Sequence, residues 1–214
     1  GTNDCSSWTN ACTSLQTALS AAVSGDEIWD ANGTYKPATD TNRSASFTLK
    51  SGVEIYGGFA GGETSRGERS PTANVTILSG EIGAVGIGDN SLHVVNAGGA
   101  AGTAILDGVV IRDGYANGGG MDSYGGGILV QSGSPRFANC EVVANFASYG
   151  GGAFFNGTSP SFIGCTFRQN SSGSFGAGIM FAGGSPVIDG CLFEENTTSS
   201  DGGGMWIANT TITI

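Results

Sequence analysis

Three cysteines at matching places in the second half of the chain are the first candidates for chemistry. Cys140, Cys165 and Cys191 each begin a C-x-[VF]-x-x-N motif with polar neighbours. A thiol in such a setting can act as a metal ligand, a redox centre or a nucleophile. A zinc site needs about four converging ligands, and no histidine lies near these cysteines in the sequence. Which role applies depends on the elements that position the thiols.

The other residue types used in catalysis are sparse. His93 is the only histidine and lies between Leu92 and Val94, a setting typical of a strand residue that faces outward or packs under an adjacent loop. Asp89 and Ser91 precede it, but no nucleophile elbow surrounds them. The acidic residues are scattered, whereas glycoside hydrolysis needs two carboxylates held on one face. The sequence therefore predicts no catalytic residues.

Calcium is the metal ion that the sequence favours. Loop carboxylates, amides and carbonyls are abundant, and oxygen ligands of this kind suit calcium. The candidate ligands are Asp89 in a GIGDNS stretch, Asp122 in a glycine-rich segment, and Asp201. The sequence has no D-x-D-x-D loop and no nonapeptide calcium repeat. We expect either calcium or no cofactor at all.

The composition indicates a secreted or surface-displayed β protein. Only 12 % of the 214 residues are charged, and 18 acidic against 8 basic residues give a net charge of −10. Nucleic acid is a poor partner for such a chain because phosphate binding needs clustered Lys and Arg. No stretch approaches the roughly 18 apolar residues of a membrane span. Cys5 and Cys12 are close enough in sequence for a small disulfide loop, which suits an oxidising compartment; two free thiols under a cap are the alternative.

The chain also carries seven N-x-[ST] sequons, which are candidate glycosylation sites in a secreted protein. Their asparagines are Asn32, Asn42, Asn74, Asn156, Asn170, Asn196 and Asn209. Chance produces several such sequons in a chain rich in Ser, Thr and Asn.

The elements that position all these residues come from an internal repeat. Copies begin at Tyr124, Tyr149 and Phe175, spaced 25 and 26 residues apart, and a shortened fourth copy begins at Asp201. Each full copy contains G-[GA]-G, three mostly apolar residues, S-P, an apolar residue and the C-x-[VF]-x-x-N motif. Apolar alternation interrupted by Gly, Ser-Pro and Asn predicts three short strands and three turns per copy.

A unit of this kind is typical of one coil in a single-stranded, right-handed parallel β-helix, an all-β fold with coils of about 25 residues. Coils stack about 4.8 Å apart, so the motif cysteines form one column. We interpret this column as a ladder of small buried hydrophobic side chains, with a disulfide between two of the cysteines as the alternative. Asn145, Asn170 and Asn196 form a second column, which we expect to hydrogen-bond at a turn. No two acids of the repeats fall at matching positions on adjacent coils.

The sequence predicts a single β-helix domain over residues 1–214. Its parts, in order, are a cap at 1–25, irregular coils at 26–113, a glycine-rich loop insertion at 114–124, and regular coils at 124–214, of which the last is incomplete.

The expected cap contains a short amphipathic helix at about 13–24. Thr13 and Gln16 fit a T-x-x-Q capping box. Leu15 and Leu19 belong to an apolar stripe that ends before Gly25. Such a helix covers the open end of the first coil, as terminal units of repeat proteins must.

At the other end, the fourth copy stops at NTTITI, which we expect to leave backbone groups unpaired. A free edge of this kind invites another strand. The candidate assembly edge comprises Trp206, Ile207, Ile212 and Ile214.

The segments LQTALSAAVSGDEIWDANGTYKP and FTLKSGVEIYGGFAGGETSRGERS, with the GGG and SP…C-x-F-x-x-N repeats, resemble bacterial surface proteins built from right-handed parallel β-helix repeats. The elements GGGI, GGGA, FRQN and FEEN are also similar to repeats of chlamydial polymorphic outer-membrane proteins. The resemblance covers nearly the whole chain. It implies a secreted or surface-exposed stalk or passenger, supplies no catalytic residues, and implies an anchor domain that this chain does not show.

The sequence supports three functional hypotheses. The first is a non-catalytic extracellular structural protein that associates head to tail through its last coil into a filament or stalk. The second is a β-helix that binds or degrades a cell-surface polysaccharide, with a groove lined by Tyr115, Tyr124 and Tyr149. The third is a fragment of an adhesin passenger.

Overall fold

A computed structural model describes residues 2–213 of the chain. Within these residues, twenty-two short strands and one α-helix follow one another in a continuous coil, and every strand pairing is parallel. The expected all-β parallel β-helix is therefore confirmed. No helix among residues 2–213 has both the length and the apolar character needed to cross a bilayer.

The strands of the first half are short and unevenly spaced. In chain order they are β1 (Glu27–Ala31), β2 (Gly33–Tyr35), β3 (Phe47–Thr48), β4 (Glu54–Phe59), β5 (Thr76–Ser79), β6 (Val95–Asn96), β7 (Ile105–Asp107), β8 (Val109–Arg112) and β9 (Tyr115–Ala116).

The strands of the second half recur at nearly constant intervals. They are β10 (Ile128–Val130), β11 (Arg136–Ala138), β12 (Glu141–Val143), β13 (Phe146–Tyr149), β14 (Ala153–Asn156), β15 (Ser161–Ile163), β16 (Thr166–Arg168), β17 (Ser171–Phe175), β18 (Ile179–Ala182), β19 (Val187–Asp189), β20 (Leu192–Glu194), β21 (Thr197–Thr198) and β22 (Met205–Ala208).

These strands form four parallel sheets that run along the helix axis. The first sheet has the order β1-β4-β7-β11-β15-β19, and the second has β2-β5-β8-β12-β16-β20. The third is β3-β6-β10-β14-β18-β22, and the fourth is β9-β13-β17-β21. The first three sheets span both halves of the chain, so the irregular and regular coils share one solenoid.

The fourth sheet corrects two expectations. Regular coils contain four strands rather than three, because the residues after each motif asparagine are extended and pair with the next coil, as Phe146 does with Ser171. The segment 114–124 is also not wholly a loop. Its residues Tyr115 and Ala116 form β9 and pair with Phe146 and Ala147, and only then does the chain leave the sheet, ending in a 3-10 turn at Gly120–Ser123.

Stacked aromatic rings fill the interior of the regular coils. Phe137 and Phe162 stack at 4.8 Å between ring centroids, Phe155 and Phe181 at 5.1 Å, and Phe167 and Phe193 at 5.1 Å. Each aromatic pair adds roughly 0.5–1.5 kcal/mol beyond the burial of its area. The interior of the irregular coils is mainly aliphatic, with Ile55, Leu78 and Leu106 buried at the centre, although Phe47 is fully buried there as well.

A helix covers the first coil, but without the capping box. Helix α1 spans Leu15–Ala21 and buries Leu15 and Leu19 against the core. Ser14 is its N-cap residue and makes no side-chain cap hydrogen bond. Gln16 instead turns toward the coil below, where its Nε2 donates to the carbonyls of Pro37 and Ser46. The cap is thus held by tertiary contacts rather than by local ones.

The last described residues return to the first sheet. Thr213 bridges to Val187 in parallel; its N–H donates to Pro186 and its carbonyl accepts from Ile188. Ile212 packs against the core. The segment therefore pairs with the preceding coil on one side, and the free edge expected on its other side stays a prediction; Ile214 lies outside the described residues.

Candidate functional site

The asparagine column links successive coils through hydrogen bonds of its side-chain amides. The Oδ1 atom of Asn170 accepts from both N and Nδ2 of Asn145, each at 3.1 Å. Asn196 Oδ1 accepts from the same two donors of Asn170 at 3.0 and 3.1 Å. At the start of the column, Gly114 N donates to Asn145 Oδ1 at 2.9 Å. Because Asn145 and Asn170 are at most 1 % exposed, these amides satisfy buried backbone groups that water cannot reach.

This burial bears on the predicted glycosylation sites. Asn170 is completely buried and its Nδ2 is engaged, so a glycan on that atom is incompatible with the fold. Asn196 is half-buried, and its Nδ2 donates to Phe167 O at 2.8 Å. Asn74 is half-buried as well, whereas the four remaining sequon asparagines are exposed: Asn32, Asn42, Asn156 and Asn209.

The motif cysteines are free thiols on successive coils. Cys140 and Cys165 are buried, and Cys191 on the last full coil is half-buried. Cys140 Sγ donates to the carbonyls of Leu106 at 3.3 Å and Ala138 at 3.2 Å. Hydrogen bonding with the thiols of Cys140 and Cys191, and burial, raise the pKa of Cys165 far above its usual range. The Cys165 thiol, held neutral in this way, is a weak nucleophile, which fits a packing role for this residue.

At the N-terminus, Cys5 and Cys12 form a disulfide. Trp8 lies within the closed loop, and its Nε1 donates to Glu63 O at 2.9 Å. The Trp8 ring also lies 5.6 Å from that of Phe59. The disulfide loop is thereby fastened to the outside of the first coils.

His93 packs beneath the glycine-rich segment. It is 9 % exposed, and its Nδ1 lies 3.0 Å from Gly125 O. Burial lowers the pKa of His93, which disfavours the charged form of the ring. Nε2 lies 4.0 Å from the exposed carboxylate of Asp122, and Ser91 Oγ, although buried, has no hydrogen-bond partner. These three residues form no hydrogen-bonded triad.

The calcium candidates do not converge. Asp89 Oδ2 accepts from Ala84 N at 2.7 Å and so closes its own loop. Asp122 lies beside His93, and Asp201 is exposed on a later coil. Within residues 2–213, no group of three or more His, Cys, Asp or Glu side chains is arranged to hold a metal ion.

One pair of stacked acids was missed by the sequence argument. Glu27 pairs in register with Glu54 on the adjacent coil of the first sheet. Arg66 Nη1 bridges them, at 2.9 Å from Glu27 Oε1 and 3.3 Å from Glu54 Oε2. Tyr56 OH donates to Glu54 Oε2 at 2.5 Å. The signal was present as the matching triplets EIW at 27–29 and EIY at 54–56.

This acid pair does not have the arrangement of a glycosidase. Such enzymes need one protonated carboxyl and one ionised carboxylate facing an open substrate site. Here a single guanidinium contacts both carboxylates and occupies the space between them, and it also lies 4.5 Å over the ring of Tyr56. The arrangement ties the loop of Arg66 to the first sheet.

A row of aromatic side chains lies on the outside of the regular coils. Tyr124 stacks on Tyr149 at 4.8 Å, Tyr149 on Phe175 at 6.3 Å, and Phe175 lies 5.3 Å from Trp206. The row packs over Leu129, Phe154 and Met180 on the third sheet. Tyr115, expected in the same groove, stacks instead on Phe146 at 4.9 Å. Tyr115 therefore belongs to a different aromatic contact from Tyr124 and Tyr149, and the three tyrosines do not form one continuous row.

A sizeable cavity lies under the N-terminal cap. This cap cavity, of about 870 Å³, is bounded by β1, helix α1 and the disulfide loop. Asp30 lines it, is 5 % exposed, and its Oδ2 has no hydrogen-bond partner. Desolvation raises the pKa of Asp30 to about 7. No sequence motif marked this residue, because its burial depends on how the cap folds over the coil.

Comparison with known families identifies the architecture. Residues 42–214, well over half of the chain, match the family described as right handed beta helix region. Neither the curated proteins nor the solved structures contain a match to the chain. The parallel coils, the stacked ladders and this match together show that the chain belongs to the right-handed β-helix family.

Proposed function

We propose that this protein is a rigid, non-catalytic scaffold that acts outside the cell as a stalk or filament subunit. The observation that carries the proposal is the continuity of its ladders. The Asn145–Asn170–Asn196 column and the row from Tyr124 to Trp206 each join successive coils. The amides thus hydrogen-bond to their counterparts on the next coil, and the aromatic rings pack against theirs. Both kinds of contact favour stiffness along the axis.

An extracellular location is supported by the disulfide between Cys5 and Cys12, since disulfides persist mainly in oxidising compartments. The resemblance to bacterial surface proteins points the same way. The adhesin hypothesis remains a variant of this proposal, in which the stalk also contacts another cell. The scaffold is proposed to need no cofactor, and calorimetric titration with Ca²⁺ tests this against a calcium site involving Asp89, Asp122 or Asp201.

End-to-end association is the finer part of the proposal. Ile207 occupies a core-facing register position opposite Phe181 on the last coil and is 46 % exposed. Trp206 and Ile212 lie nearby and are half-buried. Apolar surface of this kind favours a partner that covers it. Both ends are acidic, with Asp26 and Glu27 at one and Glu194 and Glu195 at the other, so salt should promote association by screening the repulsion.

Electron microscopy and light scattering at low and high salt test this association. We expect rods or oligomers that lengthen with salt and protein concentration. Ile207→Lys should abolish them, whereas Val75→Lys is the matched control, because Val75 is similarly exposed at 42 % on an early coil. A monodisperse monomer under all conditions, with no fibres, would overturn end-to-end association.

Polysaccharide binding is a second candidate because the outer aromatic row is partly exposed. Tyr124, Tyr149 and Phe175 are each half-buried. Aromatic faces bind sugars by stacking, but most faces in this row already stack on one another. Trp206→Ala removes the terminal ring. A panel of neutral and acidic polysaccharides should bind the original protein more tightly than this variant; no binding to any of them would exclude the second candidate.

A further inference from the structure

The cap cavity has the form of a site for one additional strand. Among the strands of residues 2–213, β1 is the terminal strand of the first sheet and pairs only with β4. The cavity is lined by every residue from 26 to 31, so it follows the free edge of β1 along its whole length. The disulfide loop and helix α1 form the opposite walls. An unpaired strand edge within a groove is suited to binding an extended peptide through main-chain hydrogen bonds.

The charges of the side chains that line the cavity indicate which kind of peptide it would bind. Five carboxyl side chains and no lysine or arginine line the cavity, namely Asp4, Asp26, Glu27, Asp30 and Glu63. All but one of these already have partners within the protein. Asp4 accepts from Thr2 and Ser6, Asp26 from Val23, Glu27 from Trp29 and Arg66, and Glu63 from three backbone N–H groups.

Asp30 is the exception, because its buried Oδ2 has no partner. A buried carboxyl that lacks a hydrogen bond is costly, and a cationic partner relieves that cost. Its burial already raises the pKa of the carboxyl to about 7, so a bound cation would draw Asp30 into its ionised form near neutral pH. The free carboxyl therefore favours a basic side chain.

The pleat of β1 fixes where that basic side chain must lie. Directly opposite residues on neighbouring strands point to the same face of a sheet. Ile28 pairs with the buried Ile55, so Ile28 and Asp30 face the interior, whereas Trp29 faces outward and stacks on Phe59 at 4.8 Å. A strand added to β1 would thus place one residue beside Asp30 and its two neighbours on the outer side near Trp29.

We propose that the cap cavity binds an extended segment of a partner protein as an extra strand on β1, with a Lys or Arg of that segment paired to Asp30 and an apolar residue beside Trp29. This interaction goes beyond the scaffold role, and it is tested with a soluble peptide, so its outcome is read separately from that of end-to-end association.

A synthetic peptide provides the test. The probe is acetyl-Thr-Val-Phe-Lys-Phe-Val-Thr-amide, whose palindromic sequence places Lys opposite Asp30 in either strand direction. Binding is followed by the fluorescence of the protein's tryptophans and by hydrogen exchange over residues 26–31. We expect saturable binding and slower exchange in β1.

Three controls separate strand addition from other kinds of binding. Asp30→Asn, which keeps the shape of the side chain, should weaken binding roughly ten- to a hundredfold, as expected for loss of a charge-assisted hydrogen bond. Asp201→Asn, on the last coil, should leave it unchanged. Replacing the peptide Lys by Glu should abolish binding, and N-methylation of alternate amides along one of the two peptide edges should do the same.

The proposal is overturned if the probe does not bind at millimolar concentration, or if Asp30→Asn binds it equally well. Binding that needs Asp30 but survives N-methylation along either edge would identify a site for an amine rather than for a strand, and would also overturn it. Loss of filaments in the experiment on Ile207 has no bearing on this result.

Discussion

The coils before and after Tyr124 are built on the same three sheets but are held together in different ways. In the later coils a side chain meets its own type on the next coil, as in the stacking of Phe137 on Phe162 and of Asn145 on Asn170. In the earlier coils long loops add contacts between unlike residues, as when Arg66 bridges the stacked pair Glu27 and Glu54. Each further repeat adds one more rung to these ladders, whereas each contact of the irregular coils occurs only once in the part of the chain that the structure describes.

Truncation within the aromatic core should produce the largest loss of stability. Phe162 is fully buried among three other rings. Its ring centroid lies 4.8 Å from that of Phe137 and 5.4 Å from those of Phe155 and Phe167. Phe162→Ala should cost about 3–5 kcal/mol in the free energy of unfolding, through lost burial and a cavity. Urea denaturation measures this. Leu106→Ala, at an equivalent buried position of the irregular coils, should cost less, about 2–4 kcal/mol; equal losses would contradict the special role of the aromatic stack.

Asp30 should make the first coil more stable in acid than at neutral pH. Its folded-state pKa is about 7 against 3.8 as the ordinary value. The unfolded chain therefore loses the proton first, and the stability of the fold should fall as pH rises from about 4 to 7, then level off. Asp30→Asn should remove this dependence and stabilise the fold at pH 8 by about 2–4 kcal/mol. Thermal unfolding between pH 4 and 8 tests it; a variant that parallels the original protein at every pH would refute the assignment.

Interrupting the asparagine column should be the next most costly change. Asn170→Ala removes the acceptor of two Asn145 donors and the donor to Val142 O. Buried donors left unsatisfied should reduce the free energy of unfolding by about 2–3 kcal/mol. Asn156→Ala is the control, because Asn156 is an exposed sequon asparagine. The ladder would lose its assigned importance if both variants unfolded at the same urea concentration.

The arginine bridge of the early coils should have the smallest effect. The side chains of Arg66, Glu27 and Glu54 are 46 %, 37 % and 34 % exposed, so solvent screens their attraction. Arg66→Ala should cost about 1 kcal/mol or less, and the loss should shrink further at high salt. Unfolding measured at low and high salt distinguishes this from a packing effect, which would be independent of salt.

The difference between the two regions also explains what could be predicted from the sequence. The columns of Cys140 and Asn145 were visible because a ladder needs the same residue in every coil, and the repeat supplies it. The fourth strand Phe146–Tyr149 was missed because the residues before each glycine triplet were assigned to a turn. The contact of Gln16 with Pro37 and the burial of Asp30 depend on long-range folding of unique segments, for which no repeat gives a register.

The asparagine column has a direction, since each amide oxygen accepts from the coil that precedes it. Every rung therefore needs only its two immediate neighbours, and all rungs are alike. Duplication or deletion of a gene segment encoding one whole coil would lengthen or shorten the rod by about 4.8 Å and leave the other rungs bonded as before. Such changes would alter the length of the rod by whole coils and leave its cross-section and the bonding between its coils the same.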